Sequence, residues 1–497
     1  MDNAQIADRL DALASLLELA EANPYTARAY RRAAETVRNV PTPVTELVQS
    51  GRVRDLRGVG PGIEARLREL VDTGQIAELT ELERELAPDL VGLGRYLGLG
   101  ARRSVQIARA LGVRTADELR AAAAEGRLRT VPGIGPKTEA QLREALAQEP
   151  ETRPREGLLL NRARELVDTI AAALDAEPAG DVRRWRDSCE HLAVVRAAQD
   201  PGPVLARFAE LPQIVALIEQ DDRRALGVTV EGVPIELVTS APERFGTALL
   251  RATGAPAYVD ALEPLPDAPD EATVYRKLKI PWCPPELREA AFAGAPPALV
   301  ELQDIRGDLH SHTTWSDGRA SVEAMGHAAR DRGYEYLAIC DHTPAVGAVR
   351  GLTPDDVLAE LDWVQASVHG GQRMPEREMT KRVEEALRNP SVRCPSHPKG
   401  RYINRRPENA LNLERIYAVA LDEDVALEVN GLAPRLDLSA EHVREALGAG
   451  VQIVCSTDAH SVRGLENIDL AVATARRGWA TAADVVNTRP LEAILRG

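Results

Sequence analysis

Aromatic side chains are scarce, at 3% of 497 residues, so any hydrophobic core must be assembled mainly from Leu, Val, Ile and Ala. Cysteine is equally sparse. Cys189, Cys283, Cys340, Cys394 and Cys455 lie far apart with no paired spacing, which excludes a disulfide framework and fits reduced thiols. No apolar run is long enough to span a bilayer, and the opening Met1–Arg9 is polar. A membrane span and a secretory signal are therefore not expected, and a cytoplasmic location is. Lysine is nearly missing: Lys137, Lys277, Lys279, Lys381 and Lys399 are the whole set among 61 basic residues, which restricts amine chemistry. The chain also lacks a positive balance. Its net charge of −15 excludes a globally basic nucleic-acid binder, although residues 1–150, with 21 basic and 22 acidic side chains, are close to neutral. Contacts with polyanions would then be local, through backbone amides and a few arginines, and sensitive to salt.

With 44% hydrophobic and 28% charged residues, the composition is that of a folded globular protein, and the length suggests about three domains. Residues 1–150 read as an all-α domain of short helices, with helical spacing in Ile6, Leu10, Leu13 and Leu17. Two segments repeat one pattern: Leu56-Arg-Gly-Val-Gly-Pro-Gly-Ile63 and Val131-Pro-Gly-Ile-Gly-Pro-Lys137. Each precedes an amphipathic helix, and Leu97-Gly-Leu-Gly-Ala101 is a weaker third copy. This is a helix-hairpin-helix arrangement. Glycines permit close backbone approach to a phosphate, and the following helix offers its free N–H groups. Gly58, Gly60, Gly62, Gly133, Gly135 and Lys137 are the candidate DNA-binding residues, and DNA is the expected partner. Tight turns between packed helices are the alternative.

Residues 155–260 read as a small α+β domain, with a helix over 159–174 and strands at 192–195, 226–230 and 234–238. Residues 261–306, rich in Pro and Ala, read as a connector with one short helix. From 307 to 497 strands and helices alternate, as in a parallel α/β domain. Six of the nine histidines fall at the ends of apolar strand-like runs here: His310 and His312, His342, His369, His397 and His460, with Asp458 beside the last. Strand ends of a closed parallel barrel converge at one face, so these groups would meet in one mouth. Neutral imidazole and carboxylate suit zinc, manganese or iron. His327 and His442 lack this context and read as ordinary surface helix residues.

Gly307-Asp-Leu-His-Ser-His-Thr-Thr-Trp-Ser-Asp-Gly318 and Ser456-Thr-Asp-Ala-His460 resemble a PHP (polymerase and histidinol phosphatase) domain. Ser396-His-Pro-Lys-Gly-Arg401, Glu428-Val-Asn430 and Arg435-Leu-Asp-Leu438 extend the match. Asn23-Pro-Tyr-Thr-Ala-Arg-Ala-Tyr30 resembles the start of bacterial family X DNA polymerases, and the likeness covers nearly the whole chain in the order hairpin domain, polymerase palm, PHP domain. The resemblance implies an irregular (β/α)7 barrel at 307–497 holding two, at most three, divalent metals (Mn, Zn or Fe). The implied ligands are His310, His312, Asp317, His342, His369, His397, Asp458 and His460, with His310, His312, Asp458 and Arg401 serving catalysis. Lys399, Arg401, Arg405 and Arg406 would hold the flanking phosphate or form a solvated loop. A monomer is expected, active in DNA repair as a 3′→5′ exonuclease or 3′-end trimming enzyme.

The sequence also departs from the family. The Gly-Ser-x-Arg-Arg turn of the palm reads Gly180-Asp-Val-Arg-Arg184, and the aspartate pair that follows it falls on His191 and Ala193. The third carboxylate position matches Glu236. One carboxylate does not hold two magnesium ions against their hydration, so templated synthesis is not expected. Lyase chemistry is not expected either, since no lysine precedes Lys137. The family's Gly-x-Glu strand, whose glutamate bridges two metals, has no counterpart between Leu352 and His369, and Glu360 does not match it. Two other readings stay open: a DNA-binding scaffold without catalysis, and a small-molecule phosphatase of histidinol-phosphate type.

Overall fold

The computed structural model describes residues 24–79, 157–342 and 361–495, apart from 41, 42, 57, 230 and 405, with isolated positions before 24 and between 110 and 134. The chain divides into two compact units, Met1–Arg155 with Asp200–Thr239, and Glu156–Gln199 with Ser240–Gly497. Among the described residues no helix is long and apolar enough to cross a membrane.

In the first unit, helices Pro24–Asn39, Val44–Gln49 and Pro61–Thr73 enclose an aliphatic core. Ile6, Leu10, Leu13 and Leu17 are buried in it, as their spacing predicts. Pro61 opens its helix because the first turn needs no amide donor, and Gly74 closes it in the left-handed region. The same unit contains helix Gly202–Ala209 and strands Ile214–Gln220, Arg224–Thr229 and Pro234–Ser240, successively antiparallel. The first of these strands was not among the sequence expectations.

The second unit starts with helix Leu160–Leu174 and the antiparallel strands Glu177–Ala179 and Leu192–Ala197. Residues 261–306 are more than a connector. Helix Glu271–Leu278 and its flanks bury Ala268, Val274, Tyr275, Cys283, Leu287 and Leu299 against Leu250 and Tyr258. Inside lies a wholly buried guanidinium, Arg288, bonded to the Glu271 carboxylate, which also takes two bonds from Arg183. Pairing is what permits charges at such depth.

Six short parallel strands follow: β1 (Gly307–Ser311), β2 (Tyr336–Ile339), β3 (Gln365–Ser367), β4 (Cys394–Ser396), β5 (Leu427–Asn430) and β6 (Ile453–Ser456). They pair β1–β2, β3–β4 and β5–β6. Bonds from His312 N to Ala459 O (2.8 Å) and from Ala426 N to Arg393 O (3.2 Å) bring β1 beside β6 and β4 beside β5. Helices 322–331, 376–387, 413–422, 440–448 and 468–477 intervene or follow, three of them capped by Ser321, Asn412 and Ser439. Alternation of strand and helix is therefore as expected, but closure into a (β/α)7 barrel is not seen. Among the described residues the strands form three parallel pairs, with a single parallel bridge, Ser311–Ala459, between the first strand and the residues just past the last, and the segment joining β2 to β3 (343–360) lies outside them. Glu360 falls in that segment.

Candidate metal centre

Each of these strands except β5 delivers its candidate ligand at or just past its carboxyl end. His310 ends β1 one residue before Ser311, His312 follows it, and His342, His369, His397 and Asp458 come within three residues of the ends of β2, β3, β4 and β6.

They meet. His310 Nε2 and His312 Nε2 are 3.1 Å apart, and Asp458 Oδ1 lies 3.6 Å and 3.3 Å from them. Asp317 lies 3.3 Å from the Nε2 atoms of both His342 and His460 and 3.6 Å from His312 Nδ1. Ring centroids of His342 and His369 are 4.9 Å apart, those of His369 and His397 5.4 Å, and those of His310 and His397 6.1 Å. Two groups, His312–Asp317–His342–His460 and His310–His312–Asp458, bring ligand atoms within 4.8 Å of one another. All eight residues named from the sequence share one cluster.

The electrostatics are those of a ligand set. Burial pulls the His312 and His369 imidazoles down to about 4 and His397 to about 3, leaving them neutral at pH 7, the form that binds metal. Burial also pulls His310 down, but Glu428 and Asp458 outweigh it and raise it to about 9. Asp458 is held well below the carboxylate range because His310, His312, His397 and His460 outweigh its burial. His312 Nδ1 is buried with no hydrogen-bond partner, a polar atom that a bound cation would satisfy. These residues fit a divalent metal. Two of them, His397 (φ 32°) and Asp458 (φ 52°), sit in the left-handed region that non-glycine residues avoid.

Several supporting residues were named from the sequence only as parts of matching motifs, without a role, or not at all. Glu428, in β5, accepts from His310 and from the His397 amide and is completely buried. Asn430 donates to Asp458 Oδ2 at 3.1 Å and to Glu428 at 3.2 Å. Asp341 accepts from the Thr313 amide (2.8 Å) and from the Thr313 and Ser316 hydroxyls, fixing the turn that carries Asp317. Glu428 and Asn430 stand in an apolar strand run, the same signal that marks the histidines. Arg435 brings Nε to 3.7 Å from Asp458 Oδ2, and that nitrogen has no hydrogen-bond partner.

Among the described residues, the basic run after His397 already has protein partners. Arg401 bonds the carbonyls of Arg435 (2.8 Å) and Leu436 and pairs with Asp187 at 2.8 Å. Arg406 bonds Gly400 O and Gln372, and Lys399 lies 3.4 Å from Glu408. Arg405 lies outside the described residues. His327 is exposed on its helix as expected, whereas His442 is half-buried, 3.7 Å from Glu408.

In the palm-like segment, Ala193 is buried within its strand. Asp181, at the family's serine position, is buried, pairs with Arg184 and accepts 2.8 Å bonds from the Glu190 and His191 amides. Glu236, in the other unit, pairs with Arg224. In the hairpin at 58–62, Gly58 needs its φ of 86°. Packing does not demand the other two: a Cβ on Gly60 or Gly62 would meet no atom within 4 Å. Gly133, Gly135, Lys137 and the third repeat lie outside the described residues.

Residues 1–76 match the family described as a helix-hairpin-helix domain, and residues 97–148 the SAM-like helix-hairpin-helix tandem. The chain is 30% identical to the DNA polymerase/3′-5′ exonuclease PolX of Bacillus subtilis (strain 168). That similarity covers 99% of this chain and 98% of the relative's length. It runs over 566 aligned positions against 497 residues here, so the relative carries tens of residues without a counterpart.

Proposed function

The chain belongs to the bacterial family X DNA polymerases, and we propose that it binds DNA through its hairpins, hydrolyses phosphoester bonds at the His/Asp cluster and does not polymerise. The observation that carries this reading is the convergence of eight candidate ligands from five strands on one cluster, of which His310, His312, His397 and Asp458 are buried. Its finer form is a PHP-type domain acting as a 3′-end nuclease in DNA repair, in a monomer.

His310, His312 and Asp458 would hold one divalent ion (Mn, Zn or Fe), and His312, Asp317, His342 and His460 a second. His369 and His397 stand alongside. Such ions activate water and neutralise phosphoryl oxygens. Arg435, with an unbonded nitrogen beside Asp458, is the cation best placed to face a phosphate oxygen. Glu428 and Asn430 hold ligands in place. At the hairpin, Gly60 and Gly62 leave room for a phosphate against the amides that open helix Pro61–Thr73. The palm lacks two of three carboxylates, and its serine position carries a buried anion where a triphosphate would need none.

Metal analysis of the purified protein, with nuclease assays on single-stranded and 3′-recessed DNA, tests the proposal. At least two metal equivalents and manganese-stimulated cleavage are expected; Asp458→Asn should lose the cleavage and the ion beside His310, with DNA affinity retained. Metal-loaded protein that cleaves neither DNA would favour the scaffold reading, and turnover confined to small phosphomonoesters the phosphatase reading.

A further inference from the structure

Trp315 is out of place for a side chain of its kind. It is 73% exposed, the most exposed large apolar side chain among the described residues. The other four tryptophans are engaged. Trp185 lies under the Arg164 guanidinium at 3.6 Å, Trp282 packs on Tyr275 at 5.0 Å, Trp479 packs on Phe292 at 4.6 Å, and Trp363 joins the cluster around Leu309 and Ile494. Among the described residues, Trp315 has neither ring nor cation partner.

Its surroundings say what would cover it. Trp315 lies between His312 and Asp317 in a turn fixed from three sides. Ser316 N and Gly318 N bond Thr313 O at 3.1 and 2.9 Å, and Trp315 N bonds Thr313 Oγ1 at 3.2 Å. Asp341 grips Thr313 and Ser316. Gly318 lies so close to His312 that a Cβ would approach its carbonyl carbon to 2.5 Å. The turn thus directs Asp317 into the His/Asp cluster while leaving a bare indole two residues away in the chain. An exposed indole on the turn that carries a cluster residue matches the flat face of a nucleobase, the one large π surface adjoining every phosphodiester of a nucleic acid.

We propose that Trp315 is the platform on which the base of a single-stranded DNA end stacks beside the bond to be cut. The inference rests on the phosphoesterase reading and adds the substrate class: a frayed or unpaired terminus, bound without base identity, because stacking accepts any base.

Two oligodeoxynucleotides, identical except that the 3′-terminal nucleotide carries a base or an abasic tetrahydrofuran, test it with the full-length protein. The base-bearing end should be favoured in kcat/KM by roughly ten- to a hundredfold. Trp315→Ala should lose that preference by slowing only on the base-bearing end, and Trp315→Phe should keep most of it. Equal losses on both ends, or none, would overturn the proposal. A second measurement needs no cleavage: binding of a 3′-terminal 2-aminopurine oligonucleotide to Asp458→Asn protein should quench the probe. The quench should vanish when Trp315→Ala is added. A persistent quench rejects the platform even in an inactive enzyme, whereas wild-type protein that quenches without cutting rejects only the phosphoesterase reading.

Discussion

His310 Nδ1 lies 2.5 Å from Oε1 of Glu428, a carboxylate with no exposed surface. The contact fixes the imidazole so that Nε2 points toward His312 and Asp458. Carboxylates behind histidine ligands typically govern metal affinity by ten- to a hundredfold. Glu428→Gln should therefore weaken metal retention by roughly that factor in a chelator titration, with hairpin DNA binding unchanged. Unaltered retention would reduce Glu428 to a packing role.

In the hairpin, Gly62→Ala separates a structural from a binding role. The added methyl meets open space within a helix, so stability should stay level or rise slightly. DNA affinity should fall by about fivefold, roughly one lost hydrogen bond to phosphate. Thermal melting together with fluorescence anisotropy reads both, and unchanged affinity would make the repeat a turn only.

Neither magnesium nor manganese should support nucleotide incorporation on primed or gapped DNA. Restoring carboxylates with His191→Asp and Ala193→Asp should not rescue it, since Asp181 is still buried in the turn and Glu236 still paired with Arg224. Template-dependent extension abolished by Glu236→Ala would refute this.

Glu271 supports the segment between the strands of the palm and the metal domain. Burial alone would raise its pKa, but Arg183 and Arg288 outweigh burial and hold it below the usual carboxylate range. Its contribution is therefore complete above the unfolded value of about 4.3 and disappears as pH falls through the lower folded value. Glu271→Gln should cost about 3 kcal/mol at pH 7, because it leaves Arg288 charged and buried. Denaturant titrations should show the gap from wild type closing below pH 4.

The candidate ligands were legible because each departs from an apolar run in the same way, and one such histidine repeated over five segments is a pattern. Strand order and barrel closure were not legible, since pairing depends on contacts far apart in the chain. Arg401 shows the limit plainly. Its basic neighbours suggested a phosphate clamp, yet its carboxylate partner is Asp187, more than two hundred positions earlier. Likewise, nothing local predicts that His397 and Asp458 adopt left-handed backbone, a conformation that the surrounding fold must impose. The packed segment at 261–306 was hidden by its prolines, which read as breaks although the segment contributes to a core.

His310 and His460 stand 150 positions apart in the chain, with the other ligands strung between them. No short peptide from this protein contains a complete set, so during synthesis a ribosome must deliver nearly the entire final domain before any ion finds its seat. With metal held at the cluster as proposed, metal supply would act as a ratchet on that domain's maturation. Under scarcity, newly made chains would wait half-assembled and open to proteases, while chains that have captured their ions would be long-lived.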